Sequence, residues 1–297
     1  MGTQNERTTM QEPRLRHVQC LSARGLHRMA YWEWGDPRNA RVLLCVHGLS
    51  RQGRDFDALA RSMNGEYRVV CPDVVGRGQS DWLADPMGYN VPTYVADMVT
   101  LIARLDTEAV HWVGTSMGGL IGMGLASLPK SPVARLVLND IGPTLQAEAL
   151  KRIGDFIGVT PRWATAEEAA GYLRSISLGF GPHSREDWLA LSSPQIKPDG
   201  DGFTLRRDPG IAMPFRAVTP EAAATGEAML WHAYDAICCP TLLLRGADSD
   251  LLSVETAQAM TQRGPKAHLQ EFAGIGHAPM MNTPDQIAVV REFLLAP

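Results

Sequence analysis

The chain has 297 residues, of which 45% are hydrophobic and 20% charged, with a formal net charge of −4. A chain of this size can bury a large core, as one generous α/β domain or as a core carrying an insertion, and its charge leaves no electrostatic footprint for nucleic acid. Five cysteines, Cys20, Cys45, Cys71, Cys238 and Cys239, show no Cys-x-x-Cys spacing, so neither a disulfide framework nor a cysteine-based metal site is expected.

The first segment, 1–14, is polar and is expected to be flexible. It lacks the apolar core of a signal peptide, and Glu6 stands where a myristoylation signal needs serine or threonine. With no apolar run long enough to span a bilayer, a cytoplasmic location is expected, with no membrane partner. Leu15 to Leu21 and Leu26 to Trp34 read as two strands joined by the hairpin connection Ser22-Ala23-Arg24-Gly25.

From Arg41 the pattern changes to short apolar runs separated by helical stretches. The runs are Val42 to Val46, Tyr67 to Cys71, Val110 to Val113 and Val133 to Leu138, resuming at Pro240 to Leu244 and His268 to Phe272. Continuous apolar strands between helices predict a mostly parallel sheet covered on both faces. The rhythm is interrupted between about residues 145 and 235, where Glu148 to Ile157 and Ala166 to Ile176 are helical in character and Lys197 to Gly202 reads as a polar loop. The expected organisation is a core of residues 15–144 and 236–297 with an inserted helical cap at 145–235.

The stretch Gly114-Thr115-Ser116-Met117-Gly118 lies between an apolar strand and the small-residue run Gly119 to Ala126. A serine with glycines two residues away on each side fits a strained strand-to-helix turn that lifts its hydroxyl clear of the backbone. Ser116 is the candidate nucleophile; the bland alternative is a helix N-cap in a nucleotide-binding α/β protein.

A serine nucleophile needs a base, an orienting acid and an oxyanion hole. His277, in the glycine-rich loop after the last apolar strand, is the candidate base. For the acid, the turn Arg245 to Leu252 offers Asp250, favoured because Leu251-Leu252 would bury the turn, and Asp248, which fits a turn-forming role. Asp140, at the end of an earlier strand, is a third candidate. The backbone amides of Met117 and Leu49 are the expected oxyanion donors, and His47 reads as a structural hydrogen-bonding residue. Asp73-Val74-Val75-Gly76-Arg77-Gly78-Gln79-Ser80 is a further glycine-rich turn, without the Lys-Ser/Thr ending of a phosphate loop.

Taken in order, His47-Gly48, the Asp73 to Ser80 turn, Gly114 to Gly118, the Arg245 to Asp250 turn and Gly276-His277 make the chain resemble serine hydrolases of the α/β-hydrolase superfamily, over nearly its whole length from about residue 15. The resemblance implies an eight-stranded, mostly parallel sheet with a cap roofing the site. It also implies no cofactor and no metal. One departure is that Ser249 holds the place, three after Gly246, where many members carry the acid; some relatives use an acid where Asp140 stands. Members that act on alkyl halides or epoxides carry aspartate at the position of Ser116, so those reactions are disfavoured.

The function expected is hydrolysis of an ester, thioester or lactone of a small carboxylic acid through an acyl-serine intermediate, with short hydroxyacyl oligomers among the compatible substrates. Carbon–carbon bond hydrolysis of a keto-dienoic acid and a non-catalytic ligand receptor are the alternatives. Arg51, Arg54, Trp188 and Trp231 are candidate substrate-binding residues.

Overall fold

The computed structural model describes residues 12–297. Of the expected flexible segment 1–14, residues 1–11 lie outside the described residues, as does the Glu6 position. The chain opens with the antiparallel pair β1 (Arg14–Ser22) and β2 (Gly25–Trp34), followed by β3 (Val42–Val46), α1 (Asp57–Met63) and β4 (Arg68–Asp73). Next come α2 (Val91–Leu105), β5 (Val110–Thr115), α3 (Met117–Ala126) and β6 (Val133–Asn139). Residues between β6 and the next core strand hold α4 (Ala147–Ile157), β7 (Arg162–Trp163), α5 (Ala166–Ser175), α6 (Arg185–Ser192), β8 (Ile196–Asp199), β9 (Gly202–Leu205), α7 (Ala212–Arg216) and α8 (Pro220–Asp235). The chain then closes with β10 (Thr241–Gly246), α9 (Val254–Gln262), β11 (His268–Phe272) and α10 (Pro284–Leu295).

The main sheet has eight strands in the order β1-β2-β4-β3-β5-β6-β10-β11. The β1–β2 and β2–β4 pairings are antiparallel and the rest are parallel, in keeping with the mostly apolar runs of β3, β5, β6 and β10. Leu44, Trp112, Leu136 and Leu243 face one apolar layer, whereas Leu43, Val113, Val137 and Leu244 face the other, so both sides of the sheet are dry.

The order of the sheet locates a site. From β3 the chain steps outward to β4, then crosses back through α2 to place β5 on the opposite side of β3. The connections leaving β3 and β5 therefore part in opposite directions, which opens a crevice at the carboxyl ends of those two strands.

The segment between β6 and β10 departs from a purely helical expectation. It contains a three-stranded antiparallel sheet, β7-β9-β8, and the stretch Lys197 to Gly202 read as a loop is its hairpin, turning at Gly200-Asp201 between the paired Asp199 and Gly202. Strands of two to four residues, one containing Pro198, carry too little alternation to register as strands. Among the described residues no helix is long and apolar enough to cross a membrane.

Candidate active site

Ser116 sits between the end of β5 and the start of α3 with φ 52° and ψ −116°. Holding a non-glycine residue there costs on the order of 1–3 kcal/mol, so the surroundings must impose it. They do so by close packing. A Cβ on Gly118 would run into the Val46 carbonyl of β3, and one on Gly114 into the Gly118 carbonyl, so both flanking positions accept only glycine. The Ser116 amide donates to the Asn139 carbonyl (3.0 Å), which fastens the turn to the end of β6.

His277 enters from the loop after β11. That loop is held on one side by the Asp248 amide, which donates to the Ile275 carbonyl (2.9 Å), and on the other by the Gly276 amide, which donates to Gly179 of the inserted segment (2.7 Å). Its imidazole Nε2 lies 3.0 Å from Ser116 Oγ, and its Nδ1 lies 2.7 Å from Asp140 Oδ2. With Nδ1 donating to a carboxylate, Nε2 is the nitrogen left to accept the serine proton.

Asp140 is wholly buried and is reached by three donors. Besides His277, the Gly246 amide donates to Oδ1 (2.9 Å) and the Ser249 hydroxyl to Oδ2 (2.6 Å). Ser249 Oγ in turn accepts from the amides of Leu251 (3.3 Å) and Leu252 (3.1 Å), which leaves its own proton to point at Asp140.

Asp250, favoured from the sequence, does not reach the imidazole. It turns outward and takes a two-pronged contact from Arg152 of α4, with Arg152 Nε 2.8 Å from Oδ2 and Nη2 3.0 Å from Oδ1. Asp248 is occupied in the backbone pinning of the histidine loop. The apolar Leu251-Leu252 pair is buried as expected, but it is Ser249 and not Asp250 that the turn brings to Asp140.

The two residues expected to offer oxyanion donors are Leu49, which follows a glycine packed against the serine, and Met117, which follows the serine itself. Gly48 is packed so close that a Cβ on it would lie 3.6 Å from that of Ser116. The Gly48 carbonyl accepts from His47 Nδ1 (2.7 Å) and from the Arg51 amide (3.1 Å). In a trans peptide the amide hydrogen opposes the carbonyl, so the Leu49 N–H faces the other way. Met117 opens α3, where an amide has no carbonyl four residues back within its helix and the helix dipole places partial positive charge.

His47 is fully buried, and its Nε2 accepts from the Val74 amide (2.9 Å) while Nδ1 donates to Gly48. Burial, with the nearby Arg77 and Arg51 cations adding to it, pushes its pKa down to about 3, so the ring is a neutral strut between the β3 and β4 loops.

The cavity over Ser116 is lined on the core side by Gly48, Leu49, His277, Met280 and Met281, and on the inserted side by Ile153, Phe156, Ile176 and Phe180. Of the four residues expected to bind substrate, only Arg51 lines it, with its guanidinium held by Asp55 at 2.6 and 2.8 Å. Arg54 lies outside, paired with Asp57 (2.8 Å) above the Trp32 ring. Trp231 also lies outside, donating to Thr144 Oγ1 (3.0 Å) with Arg263 over its face. Trp188 is one layer back, stacked on Phe180 with ring centroids 6.1 Å apart. Position in the insertion was a poor guide because most of its aromatic side chains pack against the insertion itself.

Asn139 was missed by sequence reasoning. Buried at the end of β6, its Nδ2 donates to Thr115 Oγ1 (2.9 Å) and the Pro279 carbonyl (2.7 Å), tying the serine turn to the histidine loop. A polar residue closing an otherwise apolar strand was the available signal. One buried group, Cys20, His27 and Asp97, brings possible metal ligands within 4.8 Å of one another. There, however, His27 Nε2 is already bonded to Asp97 (2.9 Å), and burial drives the Cys20 thiol up to about 12. The group reads as a buried hydrogen-bonded cluster far from the cavity lining.

Known proteins resemble this chain in sequence and in structure. A 3-hydroxybutyrate-oligomer hydrolase of Cupriavidus necator is 56% identical over 285 residues, 95% of this chain and 97% of that protein. A pimeloyl-[acyl-carrier protein] methyl ester esterase of Photobacterium profundum is 25% identical over 281 residues, covering 88% of this chain and 97% of its own length. The crystal structure of an alpha/beta hydrolase from Novosphingobium aromaticivorans superposes with a TM-score of 0.84 at 34% identity, over 96% of this chain and 99% of that one. Residues 43–290 match the model of the alpha/beta hydrolase family, a span that runs from β3 into α10 and includes Ser116, Asp140 and His277; the chain belongs to that family and is a hydrolase on its fold.

Proposed function

We propose that the protein is a serine esterase that cleaves short-chain carboxylic esters through an acyl-Ser116 intermediate, and that its substrates are short oligomers of a hydroxy acid. The observation that carries this reading is the continuous line of contacts Ser116–His277–Asp140, at 3.0 and 2.7 Å, beneath an apolar cavity. The 56% identity to a 3-hydroxybutyrate-oligomer hydrolase over nearly the full length of both chains supports the substrate class.

In this mechanism Ser116 Oγ attacks the ester carbonyl carbon while His277 Nε2 takes its proton. Asp140 keeps Nδ1 protonated and stabilises the imidazolium that forms. The carbonyl oxygen becomes an oxyanion, which accepts from the amides of Leu49 and Met117. Collapse breaks the bond to the leaving alcohol, which receives the proton from Nε2. Water then attacks the acyl-serine with its proton passing to His277, and collapse of the second tetrahedral species releases the acid and returns the proton to Ser116.

Residues 145–235 act as a cap. Ile153, Phe156, Ile176 and Phe180 supply the roof of the cavity, an apolar surface suited to a short acyl chain.

The test is turnover of linear 3-hydroxybutyrate dimer and trimer beside p-nitrophenyl butyrate by purified wild type and Ser116→Ala. Wild type is expected to cleave all three and S116A none, with the folded state intact by circular dichroism. Equal turnover by S116A would refute the acyl-serine route, and inactivity on the oligomers with activity on the nitrophenyl ester would refute the substrate class.

A further inference from the structure

The glycine-rich turn after β4 matches no phosphate loop, yet it carries one of the largest fully buried side chains among the described residues, Arg77. The partners of its guanidinium are all uncharged. Nε donates to the Leu49 carbonyl (3.0 Å), Nη1 to the Val75 carbonyl (2.7 Å) and Tyr94 Oη (3.0 Å), and Nη2 lies 3.5 Å from Met117 Sδ. The rings of Tyr89 and Tyr94 face the guanidinium carbon with centroids 5.7 and 5.2 Å away. A buried cation that no carboxylate neutralises is costly, and hydrogen bonds to carbonyls with aromatic faces recover only part of that cost.

Its placement gives the charge a use. Arg77 touches Leu49 and Met117, the two residues whose amides the proposed mechanism assigns to the oxyanion. The peptide before Leu49 is already fixed through the Gly48 carbonyl by His47 and the Arg51 amide, and Arg77 fixes the peptide after it. Arg77 also disfavours the cationic form of His47, whereas the nearby Arg51 is already paired with the Asp55 carboxylate, which leaves Arg77 as the cation beneath this loop without a carboxylate in hydrogen-bond contact.

We propose that Arg77 is a positioning residue for the oxyanion: it clamps the Leu49 loop and the Met117 side chain from below, and its uncompensated charge favours the anion that forms on the substrate carbonyl. The proposal rests on the acyl-serine reading above. It predicts help that appears only when negative charge develops, because a neutral ester in the ground state gains little from a cation held behind two peptides.

The experiment compares Arg77→Gln and Arg77→Lys with wild type, using p-nitrophenyl butyrate for kcat and KM. It also uses an alkyl trifluoromethyl ketone, whose carbonyl adds the Ser116 hydroxyl to give a hemiketal oxyanion while the proton passes to His277. R77Q is expected to lose about 30-fold in kcat, less than removal of a direct oxyanion donor costs, with KM within about twofold. Its inhibition constant for the ketone should rise by a similar factor, and R77K should recover part of both losses. Unchanged ketone affinity in R77Q, or a lysine variant no better than the glutamine one, would overturn the proposal.

Should R77Q not fold, Tyr94→Phe tests the same idea by removing one of the groups that hold Nη1. An approximately threefold loss in kcat matched in ketone affinity supports the role, and unchanged ketone affinity overturns it. If wild type itself fails to bind the ketone, the acyl-serine reading falls; if wild type and R77Q bind it equally well, only the role of Arg77 falls.

Discussion

His277 Nδ1 donates to Asp140 Oδ2 across 2.7 Å, so the carboxylate that faces the imidazole comes from the end of β6 and not from the turn after β10. The two acids near this edge differ sharply in setting. Asp140 is wholly buried beneath the ring, whereas the Asp250 side chain is 47% exposed and paired with Arg152. Replacing Asp140 by asparagine removes the acceptor that selects the imidazole tautomer, and a loss of about 10³–10⁴ in kcat is expected. Asp250→Asn removes only a half-exposed contact between α4 and the core, so kcat should stay within a few-fold. Steady-state kinetics on the two purified variants decides the matter, and a larger loss in D250N would reverse the assignment.

Ser249, three residues after Gly246, donates its hydroxyl proton to Asp140 Oδ2 across 2.6 Å. Ser249→Ala removes one of the donors to Asp140 and should cost about tenfold in kcat, in line with a hydrogen bond to a charged group of roughly 1.5 kcal/mol. Ser249→Asp alone puts two carboxylates side by side and should be worse than alanine. Combined with Asp140→Asn, the same substitution restores a single acid near the ring and should regain part of the activity lost in D140N. A double variant no more active than D140N would show that a carboxylate at position 249 does not reach the imidazole.

The turn around Ser116 gives a stability prediction. Gly118→Ala drives a methyl group into the Val46 carbonyl, backbone that cannot swing aside. A loss of about 3 kcal/mol or more in unfolding free energy is expected, or failure to accumulate as soluble protein. Gly171→Ala serves as the control, since a Cβ there meets nothing within 4 Å and the position lies inside α5. Urea unfolding should show the control at or slightly above wild-type stability; equal stability of G118A would mean the turn has more room than its packing indicates.

Much of this was readable from the residues, and the rest depended on where loops turn. The strands β3, β5, β6 and β10 are short, mostly apolar runs interrupted by residues such as His111, Arg135 and Arg245, a pattern that fits a sheet covered on both faces, and the pair Gly114–Gly118 marks its serine because the close approach to Val46 admits nothing larger. The choice between Asp140 and Asp250 was not local. It turns on the direction taken after Gly246 by the seven-residue loop that joins β10 to α9, in which Ser249 reaches a residue 109 positions earlier. The pocket residues failed for a related reason: Arg54, Trp188 and Trp231 have the right chemistry, but contacts within the insertion or along the surface of the core claim them first.

Two buried groups, His47 and Asp73, and the half-buried His111 act on acid stability in opposite senses. His47 is pushed down to about 3 and His111 to about 4, in both cases chiefly by burial. Each binds its proton more readily when unfolded, so stability present above about 6.5 is lost as pH falls toward those values. Asp73 acts the other way. Burial raises its carboxyl to about 6 against the donors Gln79, Gly53 and Trp32, so the folded state holds that proton more tightly, and acidification from about 6 to 4 adds stability. Asp73→Asn deletes this opposing contribution. Its unfolding free energy should therefore fall more steeply than that of wild type between pH 6 and 4, by up to about 1.4 kcal/mol per pH unit, the slope of one proton. Urea titrations of both proteins across that range compare slopes and not absolute values, so any fixed cost of the substitution cancels. Parallel curves would mean that Asp73 is as readily ionised in the folded protein as in the unfolded chain.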